Sequence, residues 1–232
     1  MVAGGRSRGS SRWSKESLGT STGPRAEDVE RLEALLDSSQ PRFGVAVVAD
    51  AKICCGYRGE RNVFRSRRDL VAQVLRLCAV TDSFFAQVCY RAKVECHLRR
   101  IPVLPSILHR LSVMSAQMSI GDKTIMGPGV YIPHGQVVID GLTVVESGVV
   151  LRPFVTLGIK DRGLVGPALR RGAVVGTGAK VIGHVEVGER AEVGANAVVV
   201  HDVAPGATVV GVPASPLPSR MTARTAVGGD PS

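Results

Sequence analysis

Aromatic side chains are scarce in this chain, which has one Trp, three Tyr and five Phe among 232 residues. So few rings offer little on which nucleobases could stack, and no nucleic-acid reader motif accompanies the formal net charge of +9. Nucleic-acid binding is therefore excluded as the leading function. Long apolar runs are missing too. Nothing approaches the roughly eighteen apolar residues of a membrane span, and the Arg-containing N-terminus lacks the apolar core of a secretion signal. The cysteines (Cys54, Cys55, Cys78, Cys89 and Cys96) are odd in number, and two are adjacent. They lack the paired spacings with His or Cys partners of a metal site. They read as reduced, mostly buried thiols of a cytoplasmic protein with no metal. Acidic residues are outnumbered, 20 against 29 Lys and Arg. The excess lies between Arg42 and Arg110, where a solvated basic helical face accounts for it.

What the chain does have is a beat of six. Ile120, Met126, Ile132, Val138, Val144 and Val150 are six apart, and the spacing returns at Leu169, Val175, Val181, Val187, Val193 and Val199. Neither a helix nor an alternating strand produces that period. It is the signature of a β-helix, each hexad forming one side of a triangular coil. The aliphatic residue of each hexad points inward, and burying it is worth about 1.5–3 kcal/mol. Gly121, Gly127, Gly176, Gly188 and Gly194 follow ladder residues and read as corner glycines with positive φ. Small residues four places on (Ala179, Val185, Ala191, Ala197, Val203) let the wall bend inward. Thr156 and Leu169 are thirteen apart, which predicts an extruded loop at Ile159–Ala168 with a one-residue slip.

The fold class is mainly β, a parallel β-helix with an N-terminal α-helical cap. Residues 1–40 read as a largely disordered tail, with Met1–Gly23 rich in Gly, Ser and Arg and a short helix at Arg25–Leu36. Residues 41–118 form the basic helical cap. Its stripes are Leu70, Val71, Val74, Leu75, Leu77 and Cys78, then Phe84 to Leu98, then a short helix at Ile107–Met114. Residues 119–214 form the β-helix domain, and 215–232 a C-terminal tail.

From about Arg99 to Ser219 the chain resembles the serine acetyltransferase branch of the hexapeptide-repeat acyltransferases. The segments that carry the likeness are IPVLPSILHRL (101–111), VYIPHGQVVIDG (130–141), VTLG (155–158) and the long run from Gly172 to Ala214 ending in ATVVGVPA. The resemblance implies a left-handed coil and acetyl-CoA as donor. It also implies a homotrimer or dimer of trimers with sites between neighbours. The implied activity is O-acetyl transfer of the serine O-acetyltransferase type. His134 aligns with the family's catalytic histidine, and a histidine suits the removal of a hydroxyl proton near neutral pH. Donor binding maps onto Gly158, Thr177, Gly178, Ala179 and Lys180, the last a point charge for a CoA phosphate. Arg152, read as one coil above His134, and Asp140 are candidate acceptor-binding residues. His184 and His201 read as solvated surface residues.

The departures lie on the acceptor side. Ser119 stands where the family has the acid that orients its histidine, and Pro133 where it has an aspartate. Val165 and Gly166 replace an Arg-His pair, and one residue is missing just after His134. Two alternatives follow: transfer to a sugar or other metabolite hydroxyl, and a non-catalytic hexapeptide-repeat scaffold or partner subunit.

Overall fold

The computed structural model describes residues 39–160 and 164–217. Of the expected N-terminal tail only Ser39 and Gln40 are among the described residues, and the helix at Arg25–Leu36 lies outside them. Among the described residues four full helices precede the coils: α1 (Phe43–Tyr57), α2 (Arg67–Val80), α3 (Asp82–Leu98) and α4 (Leu104–Ala116). Ser66 caps α2 by accepting the Asp69 N–H, and Asp69 sits in the first turn, where the helix dipole favours an acid. Pro105 opens α4 at a position where its missing N–H costs nothing. The expected α2 stripe is only half realised. Leu77 is fully buried, but Val71 and Leu75 are 55% and 64% exposed. The last helix is longer than Ile107–Met114, and α1 carried no distinct signal of its own.

From Ser119 the chain winds into a prism with three parallel walls. The first wall stacks Ser119–Ile120, Val138–Ile139, Thr156–Gly158, Lys180–Ile182 and Val198–Val199. The second stacks Ile125–Met126, Leu142–Val145, Val165–Leu169 and Glu186–Val187. The third stacks Val150–Leu151, Val174–Val175, Glu192–Val193 and Thr208–Val210, and Ser215–Pro216 joins it antiparallel. Those last residues thus belong to the prism, not to a tail.

Register corrects the ladder in its early coils. Ile120 pairs with Ile139, Met126 with Val145, and Ile139 with Leu157. The inward column is therefore Ile120, Met126, Ile132, Ile139, Val145, Leu151, Leu157, Leu169 and onward, each at most 2% exposed up to Val199. Val138 points out and is 43% exposed, Val144 is half-buried, and Val150 lies beside the column rather than in it. The extra residue falls between Ile132 and Ile139, seven apart, around His134. The later break is no slip. Leu157 and Leu169 are twelve apart, so the loop inserts six residues in register. It is also shorter than expected, since Val165–Leu169 is a wall strand.

The ladder glycines act for a different reason from the one expected. None of Gly121, Gly127, Gly176, Gly188 and Gly194 has positive φ. Instead, a Cβ at Gly176 would stand 2.7 Å from the Ala195 nitrogen, and one at Gly188 would stand 2.4 Å from that of Pro205. Close stacking of coil on coil excludes a side chain there.

The lowest coil has carbonyls with no coil beneath them, and buried unpaired carbonyls are costly. Helix α3 supplies their donors. Tyr90 Oη donates to Thr124 O (2.9 Å), Gln87 to Val130 O (3.0 Å) and Lys93 Nζ to Ile120 O (2.6 Å). Arg91 donates to Gly127 O (2.7 Å) and pairs with Asp50 of α1 (2.9 Å). Asp50 in turn accepts the Gly129 and Val130 N–H groups at 2.8 and 3.2 Å. Burial pushes the Asp50 carboxyl up, against the opposing pull of Arg91 and those N–H groups. The cap is thus hydrogen-bonded onto the prism as well as packed against it.

Candidate active site

The corner between the third and first walls carries His134. Ser119 and Val138 pair across nineteen residues, whereas Val138 and Thr156 pair across eighteen. The surplus residue is taken up by two consecutive left-handed positions, Gly135 (φ 75°) and Gln136 (φ 55°). A Cβ at Gly135 would sit 2.2 Å from the Ala116 carbonyl oxygen, so only glycine fits. The backbone is pinned on both sides. Ser83 Oγ donates to Pro133 O (2.9 Å), and the Gln136 N–H donates to Ala116 O (2.7 Å). The His134 side chain itself is exposed, and among the described residues its ring has no hydrogen-bond partner.

On the outer face of the first wall, Ser119, Val138, Thr156, Lys180 and Val198 stand in one column. The expected donor residues gather here and at the adjoining corner. Lys180 is exposed, its Nζ donating to Gly178 O at 3.1 Å. Gly178 has φ 73° and Ala179 is fully buried. Gly158 is buried, where a Cβ would press on Ile182 at 3.3 Å. Thr177 lends its carbonyl to the Asn196 N–H.

Arg152 does not stand over His134. Tyr131 pairs with Val150, so the same offset puts Pro153 above His134. Arg152 is exposed and close enough to Tyr131 to act on its hydroxyl: burial pushes that phenol up, and Arg152 is among the cations opposing the rise. Tyr131 stacks on Tyr57 with ring centres 4.1 Å apart. His184 and His201 are exposed on the coils. Four of the cysteines are buried, Cys78 is half-buried, and all five are free.

A cavity of about 590 Å³ lies between the first wall and helices α3 and α4. Its floor is Ser119, Ile120, Val138 and Ile139. Lys93, His97, His109 and Arg110 come from the helices, and Asp122 and Asp140 from the turns between walls. Lys93 pairs with Asp122 at 2.8 Å, and His97 Nε2 lies 3.5 Å from the same oxygen. Burial alone would raise the Asp122 carboxyl, but the Lys93 hydrogen bond and charge, with both histidines, bring it below its ordinary value. Burial and then the Lys93 charge push the His109 imidazole down. Of the residues singled out for the acceptor, Asp140 lines this cavity; Arg152 does not, and neither does His134. The helical contributors were missed because in sequence they are indistinguishable from a solvated basic face.

No protein-family model matches the chain. It is similar to the serine acetyltransferase of Synechococcus elongatus, 37% identical over 151 residues, covering 64% of this chain and 60% of that protein. It is also similar to the serine acetyltransferase of Helicobacter pylori strain 26695, 38% identical over 129 residues, covering 54% of this chain and 75% of that one. The chain thus spans less than two thirds of the Synechococcus protein. Among solved structures, soybean serine acetyltransferase apoenzyme matches with TM-score 0.61 and 28% identity over 82% of this chain and 75% of that one. A serine acetyltransferase in complex with CoA matches with TM-score 0.62 and 25% identity over 83% of this chain and 77% of that one. The prism shares their left-handed β-helix fold.

Proposed function

From the premise that the chain belongs to the serine acetyltransferase family, we propose that it is an acetyl-CoA-dependent O-acetyltransferase whose general base is His134. The carrying observation is the seven-residue corner. It is the one corner among the described coils that gains a single residue, and it holds an exposed histidine with its backbone pinned on both sides. In the reaction, an imidazole nitrogen of His134 takes the acceptor hydroxyl proton as the oxygen attacks the thioester carbonyl. Backbone N–H groups of the coils stabilise the oxyanion. The C–S bond then breaks, the proton passes to the departing CoA sulfur, and an acetyl ester remains on the acceptor. Gly158, Thr177, Gly178, Ala179 and Lys180 bind the donor along the first wall. L-Serine is the acceptor that the relatives' names support.

Outward apolar residues around the same wall support a homotrimer, alone or as a dimer of trimers, with sites between neighbours. Val138 is 43% exposed, and Phe154, at φ 62°, is 59% exposed beside the His134 corner. A neighbouring prism would cover them.

The assay measures CoA release from acetyl-CoA with L-serine and with a panel of sugars and alcohols. We expect turnover with L-serine and a drop of about 10²–10⁴-fold in His134→Ala. Undiminished turnover in the mutant removes His134 as the base. A preference for a sugar hydroxyl supports the second reading, which the Ser119 and Pro133 departures favour. No turnover with any acceptor supports the scaffold reading, which the lack of a hydrogen-bond partner for the His134 ring among the described residues favours.

A further inference from the structure

Helix α2 turns apolar residues to both sides. Leu77 points inward, into the cluster of Val47, Ala51, Cys54, Cys55 and Phe84. On the opposite side Val71, Ala72, Leu75 and Ala79 form an exposed stripe along one helix face. Arg67 and Arg68 open the helix, exposed and without an ion-pair partner among the described residues. Two cations at that end oppose the helix dipole, which favours an acid. Arg76, by contrast, is paired with Glu60. An apolar stripe with two unpaired arginines at its N-terminal end is the complement of an acidic amphipathic helix.

A segment of that kind precedes the cap. Residues 25–36, outside the described residues, read RAEDVERLEALL. Glu27, Asp28, Glu30 and Glu33 outnumber Arg25 and Arg31, and Val29, Leu32 and Leu36 recur three and four apart. The chain's path brings this segment to α2. Gln40 Nε2 donates to Thr124 O at 2.8 Å and fixes the point of entry, four residues after Leu36. Residues 37–42 separate the segment from α1, a connection of the length that joins antiparallel helices. Helix α2 likewise folds back on α1 through residues 58–66, and Gln73 donates to Cys55 Sγ at 3.3 Å. Two reversals leave residues 25–36 parallel to α2. At 1.5 Å per residue the segment is about 18 Å long and α2 about 21 Å. Its first acids then fall beside Arg67 and Arg68, and its apolar stripe beside Val71 and Leu75.

We infer that residues 25–36 dock as a helix on the exposed face of α2 in the same chain. Glu27 and Asp28 meet Arg67 and Arg68, and Val29, Leu32 and Leu36 cover the Val71–Leu75 stripe. The assignment is independent of acetyl transfer. It gives part of the positive charge of the cap an internal partner in place of solvent, and it closes the side of the cap that faces away from its core.

Hydrogen–deuterium exchange of the full chain tests this. Amides of residues 25–36 and of α2 should both exchange about tenfold or more slowly in wild type than in Leu32→Asp. Arg67→Glu with Arg68→Glu should release both segments, and adding Glu27→Lys with Asp28→Lys should restore their protection. The rescue keeps the test decisive if Leu32→Asp fails to fold, which the thermal transition by circular dichroism reveals. Equal exchange in wild type and in the Arg67→Glu, Arg68→Glu variant overturns the docking, as does protection of α4 in place of α2. Protection that arises only with vesicles of phosphatidylglycerol and phosphatidylcholine gives the face to a membrane and overturns it too. If protection falls on dilution together with the mass from light scattering, a second copy is the occupant and the same-chain assignment fails.

Discussion

The later coils and the earlier coils use the same inward ladder and differ in what surrounds it. From Leu169 to Val199 the column advances by six without exception, and every member is at most 2% exposed. From Ile120 to Leu157 it carries one surplus residue, a docked helical cap and a lateral cavity. Regularity makes a wall with a repeating backbone surface, suited to a long ligand such as CoA. Irregularity makes a place, because a single inserted residue turns one corner outward and gives the helices a surface to enclose.

The sharpest way to break the regular region is to put a charge in its ladder. Val187→Asp buries an unpaired carboxylate at a fully buried site, and we expect loss of the cooperative thermal transition measured by circular dichroism. Next comes the junction between the regions. Arg91→Ala strands the buried Asp50 carboxylate and should cost about 3–5 kcal/mol in chemical denaturation, whereas Asp50→Asn with Arg91→Met should recover much of it. The comparison is sharpened by deleting Gln136, which makes the His134 corner six residues long. The melting temperature should stay within a few degrees while acetyl transfer falls by about 10²-fold or more. In the regular coils, Gly176→Ala forces a methyl against the Ala195 nitrogen and should cost about 1–3 kcal/mol, with turnover per folded molecule preserved.

The smallest effect concerns acid. The Asp122 carboxyl lies below its ordinary value, so its contribution is present above the unfolded value of about 3.9 and is lost as pH falls through the folded one. Asp122→Asn should flatten the decline of the melting temperature below about pH 4 only slightly, since the side chain is 63% exposed.

The architecture was readable because twelve aliphatic residues kept one spacing, and a repeat that long has few explanations. The slip at His134 was not, for a specific reason. Val138 and Ile139, Val144 and Val145, Val150 and Leu151 are adjacent aliphatic pairs, so two registers satisfy the same pattern. Only the pairing of strands decides between them. His134 and the residues proposed to bind the donor were singled out through local motifs that carry the family likeness. The cavity was not, because Lys93, His97, His109 and Arg110 sit on two helices whose angle to the first wall no local pattern encodes. Arg152 misled for the same reason as the ladder: counting eighteen residues from His134 ignores the nineteenth.

A prism of stacked coils has no intrinsic length, since each coil presents a template for another. At the upper end of the third wall the chain reverses, and Ser215–Pro216 lies antiparallel along Thr208–Val210. A proline in that strand offers no N–H to a further strand. At the lower end, α3 occupies the carbonyls that another copy's strands would otherwise find. Among the described residues both ends of that stack are thereby covered, and a further strand finds few free backbone groups to extend it.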